Sequence, residues 1–467
     1  MFFAYAFFQR TAPSVFVDDL STEFQLSGAG AGALASLYYY SYSAAQIPLG
    51  MLLDRFGVLP VLTITAMLAC CASLMFAVAE QLWIISIARL LVGISVGSGW
   101  ISVLNFTATD PHFQRRKASA TGWSMLVGLG GGVLGQGPLA LGIAQSGWRL
   151  CMGIVSIVPL LISVAIAFVW RVHVVGAREV AVVKIKIGAA EENEIASNAE
   201  VRMPMMGQLR IVCSNHVNWL LFTYAIFSFS PLLAFGSLWA VPFLSRVGQV
   251  DNATAGLLAS IMLMGVGLGS PLSGLLSDRF PQRKRMIMLG GIFLSMISMA
   301  LVLFGTGLFL SIEVVGFCMF CCGFGAAPMQ LTAFFIAQKH NPVHVGAAAV
   351  AVVNTGGLLA GAFFQPLVGA FLDLGTGESG DSGGTENSIE NTTTNSIENR
   401  TTTTSGGASP SPVKMELQWT PLHMRTVCLS VFMTCYVVSG LIAAFALPKQ
   451  SNSSDEKVEV EVELELE

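Results

Sequence analysis

The sequence predicts an all-α polytopic membrane protein, with twelve transmembrane helices in two six-helix bundles related by a parallel repeat. Three observations predict it. Of 467 residues, 54% are hydrophobic and only 11% charged, and mean hydropathy is +0.68. A soluble domain carries roughly a quarter charged residues and covers its surface with them, and a disordered chain is poor in apolar residues. Apolar stretches of about 20 residues, the length of a spanning helix, recur along the chain. A motif that closes the second stretch returns at the close of the eighth.

The twelve stretches fall at about 1–17, 30–53, 58–79, 82–106, 120–144, 150–170, 217–245, 253–276, 286–307, 309–335, 345–372 and 424–446. The first is short, about 24 Å at 1.5 Å per residue against a hydrocarbon core of about 30 Å. Either Asp18 and Asp19 form its outer edge or residues are missing at the start. MFFAYAFFQR has no basic opening and no A-x-A site follows, so insertion is expected to rely on this helix and not on a cleaved leader. The second stretch carries the aromatic run Tyr38–Tyr42, the fourth is interrupted by Arg89, and the fifth is rich in glycine. Residues 172–215 are polar and basic, a central loop between an N-terminal bundle (1–171) and a C-terminal bundle (216–447). Inside the second bundle, 375–421 is low in complexity, with NSIEN written twice, and is expected to be disordered. Residues 448–467 form an acidic tail.

Orientation follows from Lys and Arg. Of 24, five (Arg149, Arg246, Arg400, Lys414, Arg425) fall in loops on one side, two (Arg10 and Arg89) inside spans, and the remaining 17 on the other side. The positive-inside rule puts both termini in the cytoplasm. The sequons at Asn252, Asn391 and Asn399 then lie outside, open to glycosylation in a eukaryotic host. The plasma membrane and an endolysosomal membrane are both open. A net charge of −4 with no basic stripe excludes a nucleic-acid partner. The nine cysteines sit almost entirely in apolar stretches and read as small packing residues, not as a disulfide framework.

The repeat is the most specific signal. PLGMLLDRFG at 48–57 returns as PLSGLLSDRFP at 271–281, setting Gly50 against Gly274, Asp54 against Asp278 and Arg55 against Arg279. Two parallel six-helix repeats are an architecture of secondary transporters. The chain resembles the major facilitator superfamily, whose loop motif G-x-x-x-D-R-x-G is matched by Gly50, Asp54, Arg55 and Gly57. The first copy lacks trailing bases, having Val58 and Leu59; the second lacks the last glycine, having Pro281, but keeps Arg283, Lys284 and Arg285. The resemblance implies a latch between the bundles on the cytoplasmic side, made in one rocked state and broken in the other. Plain helix-end charges are the alternative. IARLLVGISVGSGW matches the superfamily's R-x-x-x-G pattern with Arg89 and Gly93. Gly137-Pro138 is similar to an antiporter motif, but Val133 and Leu141 replace its glycines, so it reads as a bend and antiport is not supported. FFQRTAPSVFVDDL, YYYSYSAAQIPLGMLLDRFG and VVNTGGLLAGAFFQPLVGAFLD resemble the organic-anion and amino-acid carriers of this superfamily.

Charges inside a bilayer are costly and usually functional. Arg10 lies eight residues before Asp18, about 12 Å below the outer edge, and its planar fork suits a carboxylate. A structural ion pair or snorkelling are the alternatives. Arg89, at similar depth, reads as a second cationic contact or as a packing residue bonded to carbonyls. With Glu313 the acid well inside a span, the interior is net positive, which favours an anionic or zwitterionic substrate. Glu313 and Asp18 are candidates for proton coupling, an interfacial anchor being the alternative for Glu313 and uniport remaining open. Tyr38, Tyr42, Trp239, Asn354 and Gln365 are candidates to line the cavity, with Tyr39, Trp100, Tyr224 and Ser228 nearby and interhelical bonding the alternative for each.

The glycine runs at 128–132 and 265–269 lack the strand–turn–helix setting of a dinucleotide site. Cys318, Cys321 and Cys322 have no histidine partners, so no zinc, cofactor or other metal is expected. No pattern suggests an enzyme. The sequence-based reading is a secondary active transporter, acting as a monomer in lipid, that moves a small carboxylate-bearing solute by alternating access, with protons a candidate coupling ion. An amino-acid or small-peptide carrier, a uniporter, and a transporter-like sensor that does not transport are the alternatives.

Overall fold

The computed structural model describes residues 1–109, 117–187, 205–342, 345–374 and 419–447. The low-complexity segment up to residue 418, Arg115 and Arg116, the acidic tail, and Asn391 and Asn399 lie outside the described residues. Twelve helices cross the fold among them. They are α1 (Phe2–Thr11, resuming as Pro13–Phe24), α2 (Gly28–Phe56), α3 (Val58–Val78), α4 (Leu82–Val96 and Ser98–Thr109), α5 (Lys117–Leu134 and Gly137–Ser146) and α6 (Trp148–Val155 and Ile157–Ile187). The second half contains α7 (His216–Ser230, Pro231–Trp239 and Ala240–Val247), α8 (Asn252–Arg279), α9 (Lys284–Gly305), α10 (Ile312–Lys339), α11 (Gly346–Leu374) and α12 (Pro421–Leu441, Ile442–Ala446). Ten spans are long and apolar enough to cross a membrane by length and composition alone. The exceptions are α1, whose hydrogen-bond ladder is interrupted at Pro13 and whose backbone kinks at Phe16 (φ −130°, ψ 19°), and α2, with its Tyr and Ser run. Both pack between the bundles.

Two boundaries differ from expectation. α1 continues past Asp18 and Asp19 to Phe24, because Val17 and Leu20 bury against the core, and it ends at Gln25 with φ +51°. Its two pieces span about 35 Å, enough to cross. The expected central loop begins as helix: no glycine or proline interrupts residues 177–187, and α6 runs to Ile187. A short helix, Met205–Ser214, precedes α7.

The motif's Gly57 has a structural reason. It alone separates α2 from α3, at φ +84° and ψ +167°, a conformation open essentially to glycine. In the second copy Pro281 opens a 3₁₀ turn, Pro281–Arg283, so no positive φ is needed. Gly57→Ala is therefore expected to destabilise the purified protein by about 1–3 kcal/mol. Gly274→Ala, where a methyl group meets nothing within 4 Å, is expected to leave the unfolding midpoint unchanged or raised. Thermal unfolding in detergent measures both.

The repeat extends to side chains that no motif marked. Arg149, opening α6, donates to the carbonyls of Ala77 and Ala79 at the end of α3. Arg425, near the start of α12, donates to those of Phe304 and Thr306 at the end of α9. Each cation satisfies orphan carbonyls at a helix C-terminus, where it also meets the negative end of the helix dipole. The helices involved, third with sixth and ninth with twelfth, are equivalent under the repeat.

The bundles meet along α2–α11 and α5–α8, and between α1 and α7. One end of the molecule carries the basic loops and is called the basic face below. On the opposite face, α2 and α11 approach backbone to backbone. A methyl group on Gly369 would collide with the carbonyl of Gly28, and one on Gly32 with that of Gln365. Asp373 of α11 accepts from the Gly28 and Ala29 amides at 2.8 Å each, capping the N-terminus of α2 across the interface.

Candidate functional site

The site starts from a proline. Pro13 has no amide hydrogen, so the carbonyl of Gln9, four residues earlier, loses its helical partner. Nη1 of Arg89, from α4, donates to that carbonyl at 3.1 Å. The Gln9 side chain is held in turn: its Nε2 donates to the Tyr5 hydroxyl at 2.6 Å and to Ser73 at 3.1 Å. Thr11 donates to the Gly132 carbonyl of α5 at 2.9 Å. The gap that Pro13 leaves in the α1 hydrogen-bond ladder is thus held from α3, α4 and α5, and Arg10 lies immediately beside the freed carbonyl.

Arg10 is 9% exposed. Its guanidinium carbon lies 4.5 Å from the Phe7 ring centre, 5.8 Å from those of Tyr39 and Tyr42, and 6.0 Å from that of Tyr38. Nε has no hydrogen-bond partner. The ion pairs among the described residues are Arg149–Glu23 and Arg246–Asp18, so no described carboxylate neutralises Arg10. Ring quadrupoles attract a cation, but they do not replace the fork's two hydrogen-bond acceptors.

Arg10 lines a cavity of about 70 Å³ between the bundles, bounded by Phe3, Phe7, Tyr42, Trp100, Gln330 and Asn354 among others. From Arg10 to Phe3 it extends about 10 Å along α1 toward the basic face. Of the sequence-predicted lining residues, Arg10, Tyr42 and Asn354 come together here.

The others serve from behind. Tyr38 donates to the Ala6 carbonyl at 2.9 Å, and its ring lies between the guanidinium groups of Arg10 and Arg89, 5.4 Å from the latter. Arg89, 3% exposed, is outside the cavity's lining and belongs to the support of α1. Trp239 and Gln365 support α7. Residues Pro231–Trp239 form a π-helix, whose wide turns leave carbonyls to outside donors. Gln365 Nε2 donates to Leu233 at 2.9 Å, Gln136 Nε2 reaches across from α5 to Gly236 at 2.7 Å, and Trp239 donates to the Gln365 carbonyl at 3.0 Å.

Glu313 falls in the first turn of α10 and is exposed, because that helix starts at Ile312 and not several residues earlier. Asp18 pairs with Arg246 of α7 at 2.7 Å, joining the bundles on the opposite face. This pair edges a vestibule of about 880 Å³ that also includes Asp19, Glu23 and Asp251. The Thr254 hydroxyl and amide hold the Asp251 carboxyl below its usual range. That vestibule is larger than the Arg10 cavity, but it is acidic and its cation already has a partner. In the repeated motif Gly50 is buried, while Arg55 and Arg279 are exposed. Arg55 lies 5.2 Å from the Phe56 ring centre. The side chains of Asp54 and Asp278 lie outside the described ones.

Sequence reasoning missed Gln330, whose buried Nε2 has no hydrogen-bond partner, and Gln136, which bridges the bundles. Each is a lone amide in an apolar helix, the same signal that marked Asn354 and Gln365.

A model of the Major Facilitator Superfamily matches residues 1–365. Among curated proteins, the uncharacterized transporter YybO of Bacillus subtilis is 24% identical over 285 residues, 59% of this chain and 62% of that one. The probable sulfoacetate transporter SauU of Cupriavidus necator is 24% identical over 279 residues, 60% and 63% of the two chains. The chain therefore spans somewhat less than two thirds of the length of these relatives. Among solved structures, a bacterial homolog of the human lysosomal transporter Spinster, inward-facing and unoccupied, superposes with a TM-score of 0.63 at 15% identity, over 96% of this chain and 93% of that one. The D-xylose-proton symporter gives 0.59 at 16% identity, over 96% of both chains.

Proposed function

Because the chain belongs to the major facilitator superfamily, we propose that it moves a small carboxylate-bearing organic anion by alternating access. Bundles 1–171 and 216–447 rock about the cavity at Arg10, and the basic face is cytoplasmic by the positive-inside rule. One observation carries the substrate class: a buried arginine lines an inter-bundle cavity with no described carboxylate to neutralise it. An arginine fork so placed is completed by a ligand's carboxylate. An amino acid would also bring an ammonium group, and no described cavity residue is acidic, so the organic anion is preferred. The relative named for sulfoacetate, itself an organic anion, agrees with that class.

Uptake into proteoliposomes from a panel of organic anions, amino acids and dipeptides tests the reading. Saturable flux confined to carboxylates supports it. Ligand binding without flux assigns a sensor, and flux of cations alone removes the Arg10 assignment.

For coupling we assign Asp18 and not Glu313, because the Asp18–Arg246 pair joins the bundles and breaks when they part. Protonating Asp18 removes its half of the pair and favours opening of the opposite face. An imposed inward proton gradient is expected to accelerate uptake by the native protein and not by Asp18→Asn. As the pair is partly exposed, the substitution is expected to cost about 1 kcal/mol of stability or less.

A further inference from the structure

Resting on the carboxylate reading, we infer that Gln330 is the second recognition point, which makes the substrate a small monoanion bearing a neutral oxygen acceptor. Gln330 stands on α10, two residues beyond Pro328, and lines the same cavity as Arg10 from the other bundle. Its Nε2 is buried and unpartnered. The Ser270 hydroxyl of the lining is already engaged, donating to the Val266 carbonyl at 2.7 Å in its own helix. A buried amide donor left unsatisfied costs free energy that a ligand acceptor recovers.

Charge and size narrow the class. Among the described lining residues Arg10 is the single cation, and the remaining wall is largely Phe, Leu, Val, Met and Ala. A second carboxylate would face an amide and hydrocarbon, where an unpaired charge is disfavoured. At about 30 Å³ for each water in the liquid, a cavity of about 70 Å³ corresponds to about two or three waters, so only a small ligand fits. A three-carbon hydroxy or keto acid is among the smallest molecules that carry both a carboxylate and a neutral oxygen acceptor. Its carboxylate meets Arg10 of the first bundle and its hydroxyl or keto oxygen accepts from Gln330 of the second. Such a ligand touches both halves at once.

The test uses the full-length protein in proteoliposomes, with radiolabelled lactate as the probe. Propionate, which lacks the hydroxyl, and malonate, which replaces it with a second carboxylate, are the competitors. In the native protein, lactate is expected to half-saturate at a concentration about 3- to 10-fold below that at which propionate inhibits, the worth of one neutral hydrogen bond. Malonate is expected to compete at least 10-fold more weakly than lactate. Gln330→Met keeps the length and removes the donor; it is expected to erase the advantage of lactate and leave propionate inhibition unchanged. Equal lactate and propionate constants in the native protein overturn the inference without any variant, as does an advantage that survives Gln330→Met. Malonate competing as well as lactate overturns the single-charge part. If no monocarboxylate is taken up or competes, the carboxylate reading itself falls, and the inference with it.

Discussion

Arg10→Gln is expected to lower carboxylate uptake by on the order of 10²–10³-fold while leaving the purified protein as stable as the native one, or more so. The first effect follows from losing one partner of a desolvated, hydrogen-bonded charge pair, worth about 2–5 kcal/mol. The second follows from the absence of a described counter-charge: a buried cation faced only by aromatic rings and tyrosine hydroxyls keeps part of its desolvation cost when no ligand is bound. The two readouts separate the alternatives. An arginine held in a structural ion pair destabilises the fold when removed, because its partner is left behind. Arg10→Lys is expected to recover part of the uptake, since it keeps the charge but not the planar fork. Initial rates in proteoliposomes and unfolding midpoints in detergent are the measurements; a large fall in the midpoint of Arg10→Gln would falsify the ligand assignment.

Arg89→Met gives the opposite pattern of stability, because this arginine has a partner. Removing it leaves the buried Gln9 carbonyl without a donor, at an expected cost of about 1–3 kcal/mol. Pro13→Ala in the same protein supplies an amide at the position that carbonyl would bond in an unbroken helix, and is expected to restore most of the lost stability. Uptake is not expected to return, since the Arg89 guanidinium no longer backs the Tyr38 ring that Arg10 lies against. Stability rescued without transport identifies Arg89 as a positioning residue. If Pro13→Ala fails to restore the midpoint, the carbonyl is not what Arg89 serves.

The number of spans, their repeat and the special position of Arg10 were legible in the sequence because each rests on a one-dimensional signal. Those signals are apolar length, a motif recurring at equivalent places, and a charge where the bilayer tolerates few. Arg89 gave the same signal as Arg10, since depth along a helix does not say which way a side chain faces. Only the contact to Gln9 separates ligand from support. The missing amide of Pro13 was readable four residues from Gln9, but its donor, 80 residues away, was not. Glu313 changed place through a boundary, toward the interfacial anchor that was its alternative: a shift of about one turn carries a carboxylate from within a span to its exposed end. Gln330 was passed over because one amide in an apolar helix looks the same whether it bonds a neighbouring helix or awaits a ligand. The equivalent roles of Arg149 and Arg425 escaped because the repeat conserves where their helices end and not the residues around them.

The glycine approach between α2 and α11 has a consequence for how the opposite face would open under the proposed alternating access. Its seal is made largely of backbone atoms in contact, and dispersion falls steeply with distance: a gap of 0.5–1 Å forfeits a quarter to a half of the attraction. Such a seal has a threshold, holding nearly full strength until the bundles part slightly and very little thereafter. Dissolved salt screens charges and not dispersion, so ionic strength acts on the Asp18–Arg246 pair and on the Asp373 cap and spares the glycine contacts themselves. Opening should therefore approach two-state behaviour at any salt concentration, with salt changing how often the gate opens and not how sharply.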